Sequence, residues 1–380
     1  MTFSELGLSD ALLKMVATFD FPTPYPIQIA AIPAVLSGKD VLGIAQTGSG
    51  KTASFVLPIL QQFQTKSIAK NRHIKALIVV PTRELAVQVG EVFTLFSKNL
   101  PRPVKCLAVF GGVSINPQMI GMQGVEVLIA TPGRLLDLVD NNAMQLSELD
   151  ILVLDEADKM LNLGFKEEMN RIFALLPRKR QNLLFSATLG KDIDTITEMI
   201  LRNPVKIEIA QEVENLDLIT QVAYAVTDAR KGPLLRYLIK EQQLKQVLVF
   251  TSSVEKADKV VNKLKQNGVT ALALHSQKSQ GARTDALRYF KSGEINVLVA
   301  TDLASRGIDI PSLPVVINYE LPRSPKDFIH RIGRTGRAGV AGVAISFVDL
   351  EDILHFKVIQ KKMNKWVELV DSQDFNLHGF

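Results

Sequence analysis

Val41-Leu42-Gly43-Ile44-Ala45-Gln46-Thr47-Gly48-Ser49-Gly50-Lys51-Thr52 joins a short apolar run to a glycine turn and then to a helix-length segment. Gly48 and Gly50 let the backbone turn tightly enough for its N–H groups to face a chain of phosphates. The helix opening at Lys51 adds the partial positive charge of its N-terminus. With Thr47 and Ser49 completing the loop, the Lys51 ammonium can reach the β and γ phosphates, and the Thr52 hydroxyl can ligate Mg²⁺. The usual pattern starts with Gly where this chain has Ala45. The strand–loop–helix context carries the reading despite that departure.

Around this unit, apolar runs of a few residues alternate with amphipathic segments of helical length. The runs of the first half are Val41–Ala45, Ala76–Val80, Cys106–Phe110, Val125–Ala130, Ile151–Leu154 and Leu183–Phe185. Bounded by Gly, Pro, Thr or Asp, they suit central strands of a parallel sheet covered on both faces. Val247–Phe250, Ala271–Leu274, Val297–Ala300, Val315–Ile317 and Ala344–Val348 repeat the grammar. Two α/β domains are therefore expected, 1–210 and 221–380, each a mainly parallel sheet with helices on both faces. The acidic stretch 211–220 between them, without strand alternation, reads as the linker. A last amphipathic helix is expected at Leu350–Met363.

The chain has 380 residues, 47% hydrophobic and 22% charged, so each domain can bury its own core. Its net charge of +5 permits a polyanionic partner without arguing for one. The single cysteine, Cys106, excludes an internal disulfide and a cysteine-based zinc site. The first residues lack the basic start and apolar run of a signal peptide, and no run approaches the roughly 18 apolar residues of a membrane span. A cytoplasmic protein with no membrane association is expected.

A phosphate loop of this kind needs a carboxylate at the end of a nearby strand. The apolar Ile151–Leu154 delivers Asp155 to Mg²⁺, partly through water, and Glu156 to the water that attacks the phosphate. Asp155-Glu156-Ala157-Asp158 is also the tetrapeptide of the DEAD-box family, and the chain resembles those ATP-dependent RNA helicases over essentially its whole length. The resemblance implies two RecA-like domains, with ATP, Mg²⁺ and RNA as ligands. Phe110-Gly111-Gly112-Val113-Ser114-Ile115-Asn116-Pro117-Gln118 and Lys278-Ser279-Gln280-Gly281-Ala282-Arg283-Thr284 look most like its bacterial RhlE-like branch.

Phe21-Pro22-Thr23-Pro24-Tyr25-Pro26-Ile27-Gln28 resembles the family's Q motif, which implies an adenine-facing amide at Gln28 and a ring stacked on the base at Phe21. A primary amide carries donor and acceptor together, which suits the adenine edge. Asp20 and Tyr25 stand where the family usually has Gly and Ser or Thr. By the same resemblance Pro81, Thr82, Arg83, Gly112, Thr131 and Arg134 contact RNA. Their types suit a nucleic-acid backbone: charge-assisted forks from Arg, hydroxyls from Thr, close N–H approach at Gly. Thr131 before Pro132 reads equally as an ordinary helix N-cap. Ser186 and Thr188 are implied to couple the nucleotide site to strand separation.

The second half has no phosphate loop of its own, so it should complete a site rather than form one. His330-Arg331-Ile332-Gly333-Arg334-Thr335-Gly336-Arg337 places three arginines three residues apart, and helical spacing would bring them together, while the glycines at 333, 336 and 339 argue against an ordinary amphipathic helix and for close backbone approach. The family uses the positions of Arg334 and Arg337 as arginine fingers. The resemblance further implies that Asp309 faces the ribose, and that Thr251, Ser252, Gln280, Arg283, Thr301 and Asp302 contact RNA. Ser305 and Ser276 are small departures from its pattern.

The expected activity is RNA-stimulated ATP hydrolysis coupled to local, non-processive unwinding or remodelling of RNA duplexes and RNA–protein complexes. Lys51, Glu156, Arg334 and Arg337 are the expected catalytic residues. The core should be monomeric and bind RNA with little sequence preference; ribosomal-precursor or RNA-decay assemblies are its expected setting. An ATP-gated RNA clamp without productive unwinding is the rival reading, and a DNA helicase or another two-domain translocase a third.

Overall fold

The computed structural model describes residues 1–18, 23–46, 48–66, 72–209, 216–302, 313–336 and 340–380. It divides into two compact units, Met1–Gln211 and Glu212–Phe380. The first holds strands β1 (Val41–Ile44), β2 (Ala76–Val79), β3 (Cys106–Val109), β4 (Val127–Ala130), β5 (Ile151–Leu154), β6 (Gln181–Ser186) and β7 (Val205–Glu208). They form one parallel sheet in the order β3-β4-β2-β5-β6-β1-β7.

Alternation along the strands explains why they read as unbroken apolar runs. Ile78, Ile129, Val153 and Phe185 point into one core layer, and Leu77, Leu128, Leu152 and Leu184 into another. Helices cover both faces, so neither side of these strands needs polar residues. One buried carboxylate fastens β1 to its neighbours. Asp40 accepts from the Asn182 backbone N–H at 2.7 Å, the Asn182 amide at 3.1 Å and the Arg202 backbone N–H at 2.8 Å.

The second unit holds β8 (Ile219–Ala225), β9 (Val247–Thr251), β10 (Ala271–Leu274), β11 (Val297–Thr301), β12 (Val315–Asn318), β13 (Gly342–Val348) and β14 (Leu369–Asp371). Their order, β10-β11-β9-β12-β13-β8-β14, repeats that of the first sheet strand for strand, again all parallel. The two RecA-like α/β units implied by the sequence are both present. Ile219 and Thr220, placed in the linker by composition, are the first two residues of β8. Strands β7, β8 and β14 are additions to the expected set. The helix expected over Leu350–Met363 begins as a 3-10 turn and becomes α-helical at Ile353.

Candidate functional site

In a parallel α/β sheet, loops leaving the carboxyl ends of the strands form the ligand-binding edge. Every described site candidate of the first unit lies on that edge. After β1 the loop turns through Gly48 (φ +87°) and Gly50 (φ +86°), both in the left-handed region, and the helix Lys51–Phe63 begins. The Lys51 ammonium, 6% exposed, donates to the Ala45 carbonyl at 2.7 Å, so it curls back under the loop. The Ser49 hydroxyl donates to the Gln46 carbonyl at 2.7 Å. Thr52 is half-buried in the first turn of the helix.

Gln28 is built into the same loop. Its amide nitrogen donates to the Gly50 carbonyl at 3.1 Å, and its amide oxygen accepts the Tyr25 N–H at 3.0 Å. An amide has two donors and two acceptor positions, so one bond at each end leaves capacity for a base edge. A Cβ on Gly50 would sit 2.5 Å from the Gln28 amide nitrogen and 2.9 Å from the Tyr25 ring, so only glycine fits there.

Between β2 and β6, one strand away from β1, β5 delivers Asp155 and Glu156. Asp155 is 2% exposed, and its Oδ1 has no hydrogen-bond partner among the described residues. Burial pushes its carboxyl up to about 6; the Lys51 ammonium opposes the rise and the Glu156 carboxylate adds to it. An orphaned carboxylate oxygen costs free energy unless something positive meets it, and with the Thr52 hydroxyl nearby in sequence order to the loop the donor chemistry suits a hard cation such as Mg²⁺. Among the described residues no group of three or more His, Cys, Asp or Glu could hold a metal by itself. A cation here would therefore share its coordination with phosphate oxygens and water. Glu156 adopts a left-handed backbone (φ +55°) and accepts from Lys159 at 2.7 Å.

The last residue of the tetrapeptide, Asp158, was absent from the expected set. Its carboxylate accepts from the Thr188 hydroxyl at 3.2 Å and from the Ala187 N–H at 3.4 Å. The Ser186 hydroxyl donates to the Thr188 carbonyl at 2.8 Å. Ser186 and Thr188 are thus tied to the segment that carries Asp155 and Glu156.

The candidates for RNA follow β2, β3 and β4. Thr82 caps the helix Arg83–Ser97, accepting from the Leu85 N–H at 3.3 Å. Pro81 is buried and precedes it. The Arg83 guanidinium lies against Gly112, where a Cβ would collide with it. Thr131 precedes the helix Pro132–Asp140. Arg134 is 6% exposed, bonded to the Val113 carbonyl at 2.8 Å and the Asp137 carboxylate at 3.2 Å. It therefore braces the glycine loop after β3, with its Nη1 lacking a partner among the described residues.

In the second unit, Thr251 ends β9 and Ser252 follows it, Gln280 and Arg283 open the helix Gln280–Lys291 after β10, and Thr301 ends β11 and Asp302 follows it. Ser252 is exposed, yet both its N–H and its hydroxyl donate to Glu320, at 2.7 and 2.6 Å. The Gln280 amide oxygen is buried with no partner among the described residues. The arginines depart from the helical expectation. The helix Pro325–Ile332 stops at a Gly333 cap, so Arg334 stands in the turn beyond it. Arg331 is 2% exposed and grips Asp302 with two bonds, at 2.6 and 2.7 Å. It also donates to the Asn318 side chain at 3.1 Å and the Glu320 carbonyl at 2.6 Å, and covers the Phe250 ring. Phe21, Thr47, Asp309 and Arg337 lie outside the described residues.

Residues 25–196 match the DEAD/DEAH box helicase family, and residues 230–339 match the helicase conserved C-terminal domain. The chain belongs to the DEAD-box RNA helicase family. DEAD-box helicases are ATP-hydrolysing enzymes, and this chain is one of them. It is 40% identical to the DEAD-box ATP-dependent RNA helicase RhpA of Helicobacter pylori, over 99% of this chain and 75% of that protein. It is 39% identical to the ATP-dependent rRNA helicase RRP3 of Gibberella zeae, over 96% of this chain and 74% of that protein. Among solved structures, Saccharomyces cerevisiae Dbp5 bound to RNA and ADP BeF3 aligns with a TM-score of 0.82 and 31% identity, covering 98% of this chain and 96% of that one. No helix among the described residues is long and apolar enough to cross a membrane.

Proposed function

We propose that this helicase hydrolyses ATP in response to RNA and uses the cycle to open short duplexes and remodel RNA–protein complexes locally, without long tracking. One observation supports the coupling above all: Asp158, three residues after Asp155, is hydrogen-bonded to Thr188 and Ala187. A change at the nucleotide carboxylates therefore moves the Ser186–Thr188 segment through a direct bond.

In this reading Gln28 and Phe21 take the adenine, and Asp309 the ribose. The N–H groups of 47–50 cradle the phosphates with Lys51. Thr52 and Asp155 hold Mg²⁺, which when bound screens the phosphate charge. Glu156 orients and deprotonates the attacking water. Arg334 and Arg337 stabilise charge developing on the transferred phosphoryl group. Pro81, Thr82, Arg83, Gly112, Thr131, Arg134, Thr251, Ser252, Gln280, Arg283, Thr301 and Asp302 hold one RNA strand through its backbone, which makes binding salt-sensitive and poor in sequence preference.

We take the domains as 1–210 and 221–380, with 211–220 as the junction whose last two residues, Ile219 and Thr220, already belong to β8, and the core as monomeric and cytoplasmic. RNA-decay or ribosomal-precursor assemblies are the proposed setting; the likeness to a relative named as an rRNA helicase favours the latter. The two motifs after β3 and β10 favour the RhlE-like branch, while the relatives include fungal and bacterial proteins.

The test is ATP turnover measured alone, with single-stranded RNA and with DNA of the same sequence, for the wild-type chain and Lys51→Ala. RNA should stimulate turnover, DNA should not, and the variant should be silent. Turnover indifferent to RNA, or equal activation by DNA, refutes the reading. Nucleotide-dependent RNA retention without turnover selects the clamp instead.

A further inference from the structure

The second sheet repeats the strand order of the first, so each loop on its carboxyl edge has a counterpart. In the first unit the central strand β5 ends in the carboxylates Asp155 and Glu156. Its counterpart β12 ends at Asn318, followed by Tyr319 and Glu320. Here too a carboxylate leaves the central strand, but no phosphate loop faces it. Glu320 instead turns to the end of β9. Its Oε2 accepts from the Ser252 N–H at 2.7 Å and the Ser252 hydroxyl at 2.6 Å. Its Oε1 accepts from Lys256 at 2.5 Å, one turn into the helix Val254–Gln266. Its carbonyl is held by Arg331.

A backbone N–H and a hydroxyl converging on one anionic oxygen, beside a lysine and just ahead of a helix N-terminus, is what a nucleic-acid phosphate would be given. In this structure a carboxylate of the same chain has that arrangement. Glu320 is ionised at neutral pH. Burial raises its pKa, but the bonds from Lys256 and Ser252 outweigh that and hold it below the usual carboxylate value.

We propose that Glu320 sets the RNA affinity of the second unit: it occupies the Ser252 donors as an intramolecular stand-in for phosphate, and an RNA strand must displace it to reach them. The proposal rests on the reading of Ser252 as an RNA contact. Displacement is local, because the backbone of residue 320 stays anchored to Arg331 while its side chain swings off Ser252 onto Lys256. The same bond to Arg331 links the displaced residue to the segment that carries Arg334.

The test is fluorescence anisotropy of a short labelled single-stranded oligoribonucleotide on the full chain, for wild type, Glu320→Gln, Ser252→Ala and Asp228→Asn. Glutamine keeps the shape and removes the charge. Glu320→Gln should bind RNA roughly tenfold more tightly, the scale of replacing a charge-assisted bond by a neutral one. Asp228→Asn is the control: Asp228 belongs to the same network through Lys256 (3.3 Å) and carries the same charge, without touching Ser252. It should change affinity far less. Unchanged or weaker binding in Glu320→Gln overturns the proposal, as does an equal gain in Asp228→Asn, which would make the effect one of net charge. Ser252→Ala should weaken binding. If it leaves affinity unchanged, Ser252 is not an RNA contact and the underlying reading fails together with the proposal; if it weakens binding while Glu320→Gln gains nothing, the proposal fails alone.

Discussion

Arg331→Met tests whether this arginine is a brace rather than a finger. Methionine keeps much of the apolar stem and deletes the guanidinium. That removes two bonds to Asp302, one to the Asn318 side chain, one to the Glu320 carbonyl, and the cation over Phe250. Asn318 is fully buried, so its oxygen loses a partner where water does not replace it. Breaking a buried pair by removing one partner costs about 3–5 kcal/mol. The Asp302 side chain is 33% exposed, which places the loss at the lower end, about 3 kcal/mol. For a unit of this size that corresponds to a fall in Tm of roughly 6–12 °C. Two compact units need not melt together, so the assay is hydrogen exchange resolved along the chain, with a thermal melt alongside. Protection should drop at the carboxyl ends of β9, β11 and β12 and stay unchanged in β1 to β7. Unchanged protection there, or a loss under about 1 kcal/mol, would refute the bracing role.

The remaining predictions concern the two edges separately. Gly50→Ala should abolish nucleotide binding, measured by titration with a fluorescent ATP analogue, because a Cβ at φ +86° meets the Gln28 amide and the Tyr25 ring; wild-type affinity would show that the loop adapts. Arg334→Ala should leave ATP binding intact and lower kcat by about 10³ or more, following the arginine-finger precedent; an unchanged kcat removes this residue from hydrolysis. The Glu320 carboxyl is held below its unfolded value, so the stability it contributes is present above that value and is lost as pH falls through the lower folded one. Acid should therefore loosen the ends of β9 and β12 below about pH 4, the unfolded carboxylate range. In Glu320→Gln that part of the pH dependence should vanish; an identical profile in the variant would assign it elsewhere.

The sheets were legible in the sequence wherever both faces of a strand are buried. Ala76–Val79 and Ile151–Leu154 have apolar neighbours above and below, so no polar residue interrupts them. The missed strands break that pattern. In β7 the residues Val205, Lys206, Ile207 and Glu208 sit at the sheet edge with the charged side chains outward. In β8, Thr220 and Gln221 interrupt the apolar run, which made its start read as linker. In the arginine segment two signals competed, and the glycines outweighed the helical spacing. A spacing of three implies clustering only while the backbone stays helical, and Gly333 ends the helix between Arg331 and Arg334. Motif residues at strand ends were visible because glycine, proline and charge stand out against apolar runs. Their partners were not, since Asp158 meets Thr188 and Glu320 meets Ser252 across many intervening residues.

The duplicated topology explains how one architecture divides its labour. In the first unit the RNA candidates follow β2, β3 and β4; in the second they follow β9, β10 and β11, the same three places in the sheet. The phosphate-loop and carboxylate candidates follow β1 and β5, with the coupling pair Ser186 and Thr188 after β6, and here the second unit differs. Where a glycine loop separates β1 from its helix, only Val226 and Thr227 separate β8 from the helix Asp228–Glu241. Too short to cradle phosphates, that connection leads to Lys231, which is buried and paired with Asp228 at 3.6 Å and Asp349 at 3.7 Å. A lysine neutralised by two carboxylates offers no net charge to a triphosphate. The carboxylate after β12 is engaged by Ser252 and Lys256. In the proposed scheme the second unit, without a phosphate loop of its own, turns its central carboxylate toward Ser252, and Glu320→Gln is designed to expose the resulting competition with RNA.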